Sequence, residues 1–159
     1  MSRLLAIDPG CYDSAYVVID HTCRPLDFGK IPNPDLLARA STIDAGLVAI
    51  ESVASYGMPV GEEVFETVRW AGRFEQRLLD NGRQVELVKR LRVKLALCHN
   101  AAAKDSNIRQ ALCDRFAMGV RNYGRGTKAD PGWFYGFHRD VWAGYALAVT
   151  VMDAETVPF

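Results

Sequence analysis

"LLAIDPGCYDSAYVVID", residues 4 to 20, sets an apolar strand, an aspartate, a Pro-Gly turn and a second apolar strand in immediate succession. A carboxylate at the tip of a buried strand is costly to desolvate unless a positive charge stands opposite it. A metal ion, a phosphate-bound cation or a nearby arginine would each serve. Outward from this pair, Leu26 to Ile31 reads as a third strand after a turn around His21 to Pro25, so the chain opens as an antiparallel meander.

Beyond Pro32 and Pro34 the spacing predicts a short helix over Asp35 to Ala40. "GLVAIES" then supplies a buried strand ending in Glu51, the second strand to end in a carboxylate. A helix from about Glu62 to Leu79 follows, with apolar residues close to a period of 3.6, and Asn81-Gly82 stops it before the short strand "QVELV". "KRLRVKLAL" and "KDSNIRQALCDRF" are helical, the latter with Asp105 or Ser106 as an expected N-cap. "GVRNYGRGTKADPGWFYG" reads as a flexible basic loop with interleaved aromatics, and a last helix runs from about Asp140 to Met152.

This order predicts an α/β fold in one domain spanning residues 1 to 159, with an open mixed sheet whose first three strands are antiparallel and whose later strands are reached by crossovers. Such sheets gather functional groups at the strand ends near the topological switch. Asp8 and Glu51 are strand-end residues, and Asp140 opens the last helix. If the three meet, they must share protons or hold a divalent cation, and clustered oxygen ligands favour Mg²⁺ or Mn²⁺. The plain alternatives are a turn-forming Asp8, a Glu51 paired with arginine and an Asp140 that complements a helix N-terminus.

The net charge is zero, but it is unevenly placed. Residues 81 to 139 carry twelve basic and four acidic side chains, whereas residues 1 to 80 carry seven and twelve. This basic block is either a set of solvated helix faces or a phosphate-tracking surface built from Lys89, Arg90, Arg92, Lys94, Lys104, Arg121, Arg125 and Lys128. Tyr123, Trp133, Phe134 and Tyr135 beside those cations suit stacking on unpaired bases. Cys11, Cys23, Cys98 and Cys113 have no metal-site spacing and read as free thiols. No apolar run reaches the roughly 18 to 20 residues of a membrane span, and the start of the chain shows no signal pattern. A cytoplasmic protein, in a bacterial or phage-infected cell, is expected.

"AIDPG", "VAIES" and "DVWAGYALAVT", with "GMPVG", "ETVRWAGRFEQ" and "AKDSNIRQAL", resemble the RuvC-type Holliday-junction resolvases of the RNase H-like nuclease superfamily, most closely the short phage- or prophage-encoded ones. The resemblance implies an RNase H-like fold with a mixed five-stranded sheet, and a Mg²⁺-dependent endonuclease that cuts branched DNA as a homodimer. It puts Asp8, Glu51 and Asp140 on the metal-binding carboxylates, with two ions per site. It puts Lys104 near the scissile phosphate, with Lys94 or Arg92 as a second basic residue. Many of these enzymes carry a further aspartate one helical turn after the first; here that position is Ala143, and His138 is a candidate to compensate. The long helix, through Trp70 and Phe74, is the expected dimer contact. A hydrolase of RNA–DNA hybrids, a general nuclease and a non-catalytic branched-DNA binder are the alternatives. An actin-like ATP-binding module also begins with a strand, an Asp and a Gly-rich turn, but it requires a second phosphate-binding hairpin and about twice the length.

Overall fold

The computed structural model describes residues 2–157. Strands β1 (Leu4–Asp8), β2 (Asp13–Ile19) and β3 (Pro25–Pro32) form the antiparallel meander. Helix α1 (Asn33–Ala40) leads to β4 (Leu47–Glu51), which lies parallel to β1; α2 (Glu62–Asp80) leads to β5 (Gln84–Val88), parallel to β4. The strand order is β3-β2-β1-β4-β5. Helices α3 (Arg90–Cys98), α4 (Asp105–Phe116) and α5 (Arg139–Thr156) complete the chain. The mixed five-stranded sheet flanked by helices agrees with the sequence expectation.

β1 is central and covered on both faces, which is why it reads as a continuous apolar run rather than an alternation. Its side chains still divide by parity. Leu4 and Ala6 join the core beneath α5, whereas Leu5 and Ile7 join the core beneath α1 and α2. α5 is apolar nearly all round because it is packed against the sheet on one side and α3 and α4 on the other. Gly144 lets it sit low: a Cβ there would stand 3.1 Å from Val17 Cγ2. Among the described residues, no helix is long and apolar enough to cross a membrane.

Several expectations are corrected. Phe74 is fully buried in the core under α2, and Trp70 packs against that same core, so this pair does not form an outer contact face. The outward apolar stripe of α2 is instead Phe65, Val68 and Leu79. α4 starts at Asp105, and its start is closed by Asn107, whose Oδ1 accepts from the Lys104 backbone N–H at 2.9 Å; neither Asp105 nor Ser106 is the cap.

The segment of residues 117 to 138 is anchored to the core at Ala117, Phe134 and Phe137, while its basic stretch is largely exposed. Phe134 and Phe137 are buried, and Trp133 stacks on Phe116 with ring centroids 5.3 Å apart. Trp133 Nε1 donates to the Tyr145 hydroxyl at 3.0 Å, which in turn donates to the Cys23 carbonyl at 2.8 Å. Gly124 has φ +78°, and a Cβ there would fall 2.6 Å from the Phe134 ring, so this position requires glycine. Of the four aromatics expected to meet bases, Tyr123 and Tyr135 are exposed; Phe134 is core and Trp133 is half-buried.

Candidate active site

Parallel pairing of β1 with β4 brings Ile7 beside Ile50, so Asp8 and Glu51 are neighbours one step further along. They share parity with Ala6 and Ala49, both in the core beneath α5, and therefore face that helix. Asp140 lies in the first turn of α5. The antiparallel register continues the row outward, with Asp8 opposite Ala15 and Ala15 opposite Lys30. Directly opposed residues project from the same face of a sheet, and the small Ala15 leaves room for Lys30 to lean over it. Lys30 Nζ donates to Asp140 Oδ2 at 2.5 Å. On the other flank, Arg90 follows β5 by two residues; its Nη1 donates to Glu51 Oε1 at 3.3 Å and its Nη2 to Asp105 Oδ1.

The Asp8 carboxyl is held away from its ordinary charge state. Burial, a hydrogen bond with Glu51 and the charges of Glu51 and Asp140 together push its carboxyl up to about 9, with Arg90 pulling the other way. The turn that follows is tightly built. The Gly10 N–H donates to Ser14 Oγ at 3.0 Å, the Ser14 hydroxyl donates to Asn33 Oδ1, and Asn33 Nδ2 donates back to the Gly10 carbonyl at 2.9 Å. Ser14 and Asn33 are fully buried, and a Cβ on Gly10 would stand 2.1 Å from the Asp13 carbonyl oxygen. This network fixes the strand tip that carries Asp8.

A cleft of about 640 Å³ is lined by Asp140 and by Arg90, Arg109, Tyr123, Arg125 and Arg139 among others, while Asp8 and Glu51 lie outside its lining. Arg109 lies over the Tyr123 ring, 4.4 Å from its centroid, and Arg125 Nε is anchored to the Asn122 carbonyl at 3.0 Å. Ala143 and His138 also line it. Of the basic residues singled out in the sequence, Arg90 and Arg125 reach this cleft. Arg92 instead pairs with Glu86, Lys94 is half-buried, and Lys89, Arg121 and Lys128 are exposed elsewhere. Lys104 is exposed and outside the lining, although its neighbours Asp105 and Ser106 belong to it.

Among the described residues, no three His, Cys, Asp or Glu side chains are grouped closely enough to hold one metal ion between them. Asp8, Glu51 and Asp140 share one end of the sheet and act on one another electrostatically, but Glu51 and Asp140 are each drawn to a cation. Lys30, Arg109 and Arg139 join the site without a sequence signal that singles them out. The register of the meander points to Lys30, because it stands two strands across from Asp8, but that register is legible only once strand ends are known.

No family model matches the chain, and no curated protein is similar to it in sequence. Solved structures are similar to it in fold. Thermus thermophilus RuvC in complex with a Holliday-junction substrate is similar with a TM-score of 0.69 at 16% identity, over 98% of this chain and 96% of that one. A second structure of Thermus thermophilus RuvC gives a TM-score of 0.69 at 16% identity, over 96% and 95%. The likeness extends over nearly the full length of both chains, and this chain, with its mixed five-stranded sheet flanked by helices, has the RuvC-like α/β fold.

Proposed function

We propose that this protein is a structure-selective endonuclease that hydrolyses phosphodiesters in branched DNA, four-way junctions included, with Mg²⁺ or Mn²⁺ drawing in Asp8, Glu51 and Asp140 once Glu51 and Asp140 leave the cations Arg90 and Lys30 that hold them here. The observation that carries the reading is the carboxylate row in a RuvC-like fold, in which Asp8 keeps its proton far above the usual carboxylate range because burial and its acidic neighbours outweigh the nearby positive charge. The donors suit such ions: all are hard carboxylate oxygens, and a divalent cation relieves the repulsion that now raises Asp8. Bound there, two such ions would supply Lewis acidity at the phosphate and an acidified water as nucleophile.

The chain's own groups do the rest. Asp8, on the central strand before the turn that the Ser14–Asn33 network closes, is the carboxylate we assign to both ligand shells. Glu51 and Asp140 flank it. Ala143 contributes no carboxylate, so the C-terminal motif supplies one acid, with His138 in the same cleft as the remaining candidate ligand. Arg90, Arg109, Arg125 and Arg139 line the approach and suit bidentate binding of phosphate oxygens. Tyr123, exposed between Arg109 and Arg125, presents a ring to an unstacked base. Lys104 stands one residue before the cleft-lining Asp105 and is assigned to the phosphate as charge develops.

Paired incision requires two sites related by a two-fold axis, and the exposed stripe Phe65, Val68 and Leu79 on α2 is assigned to that homodimer contact. A nicking assay with Mg²⁺ on synthetic four-way junctions, linear duplex and RNA–DNA hybrid tests the reading. Junction cleavage that Asp8→Asn abolishes supports it. Equal cutting of linear duplex makes the protein a general nuclease, preference for the hybrid moves it to ribonuclease chemistry, and tight junction binding without cleavage makes it a non-catalytic binder.

A further inference from the structure

We propose that Arg90 is a displaceable counter-ion, which holds Glu51 while the site is empty of divalent cation and passes to a DNA phosphate on substrate binding, so that DNA and metal bind cooperatively. The inference rests on the metal-dependent reading above and assigns a positioning role within it.

The geometry is specific to this residue. Arg90 bridges two carboxylates of unlike setting, Glu51 at 20% exposure and Asp105 at 84%. Its contact to Glu51, at 3.3 Å, is longer than the roughly 2.7–2.9 Å of a strong charge-assisted hydrogen bond, so this arm is the looser one. The same guanidinium lines the cleft with Arg109 and Arg125, where a phosphate would enter. With five N–H donors it has capacity for a phosphate while keeping Asp105. Glu51 Oε1 cannot serve a cation fully while it accepts from a guanidinium, and a positive charge beside it repels a divalent ion. A phosphate that draws Arg90 away therefore frees the ligand, and by linkage a cation on Glu51 releases Arg90 to the phosphate by the same factor. Lys30 holds Asp140 in a parallel way, but it does not line the cleft and has no such route to the substrate.

Mn²⁺ binding to the DNA-free protein, followed by electron paramagnetic resonance of the free ion, tests the first half. Arg90→Gln should tighten Mn²⁺ at least about fivefold. Arg109→Gln removes the same charge from the same cleft but breaks no carboxylate pair among the described residues, and should change it less than about twofold. Asp105→Asn, which leaves Arg90 to Glu51 alone, should weaken Mn²⁺ about threefold and serves if Arg90→Gln does not fold. For the second half, Ca²⁺ should tighten binding of a fluorescent four-way junction to the wild type, measured by anisotropy, and most of that gain should vanish in Arg90→Gln. Equal effects of Arg90→Gln and Arg109→Gln on Mn²⁺, or a Ca²⁺ gain that survives Arg90→Gln, overturns the proposal alone. Wild-type protein that binds no Mn²⁺ overturns the metal reading of the site and this proposal with it.

Discussion

Asp8→Asn should stabilise the metal-free protein at neutral pH. Folding raises the Asp8 carboxyl from an ordinary 3.8 to about 9, chiefly through burial and the neighbouring Glu51, so between those values the folded chain binds more proton than the unfolded one. Stability then falls as pH rises through that window, because the unfolded state gives up the proton freely and the folded state does not. At about 1.36 kcal/mol for each tenfold ratio, the upper limit of the cost at pH 7 is on the order of 4 kcal/mol, and relaxation of the pair reduces it to about 2–4 kcal/mol. An amide at position 8 has no proton to take up and can still donate to Glu51. Urea unfolding in EDTA should therefore show the variant more stable by about 2–4 kcal/mol at pH 7, with the gap closing toward pH 4. Mg²⁺ at about a thousand times its dissociation constant should reverse the order, since that excess adds about 4.1 kcal/mol to the protein that binds it. A variant less stable than wild type in EDTA at pH 7, or a gap that does not change with pH, would refute the account of Asp8 as a carboxylate held against its charge.

Neutralising Arg121, Arg125 and Lys128 together should weaken junction binding and reduce the log–log salt slope by about 0.9 for each phosphate that no longer meets a cation; an unchanged slope in a salt titration would make this loop a solvated surface. Phe65→Glu with Val68→Glu should convert a dimer to monomer in sedimentation at micromolar concentration without unfolding, because both side chains are exposed at 63% and 49%. Tyr145→Phe removes the link between Trp133 and the Cys23 carbonyl, and should cost about 1–3 kcal/mol by chemical denaturation for the buried groups left unpaired.

Element order is written in local signals, namely apolar runs, Pro-Gly and Asn-Gly turns and helical periodicity, and the strands and helices lie within a few residues of where those signals place them. The same signals place the acids at element ends: Asp8 ends β1 and Glu51 ends β4 by sequence alone. Burial of aromatics was not legible, since Phe74 on a helix and Phe134 in a glycine-rich loop look alike whether they face solvent or core, and only packing against α5 and the sheet decides. Nor were the ion pairs. Lys30 lies 110 residues from Asp140, and Arg90 lies 39 from Glu51 and 15 from Asp105, separations over which no periodicity carries information. A charged group is stabilised by whatever the folded chain sets within a few ångströms of it, so strand register and the seating of α5, rather than neighbours along the chain, decided which cations meet the carboxylates.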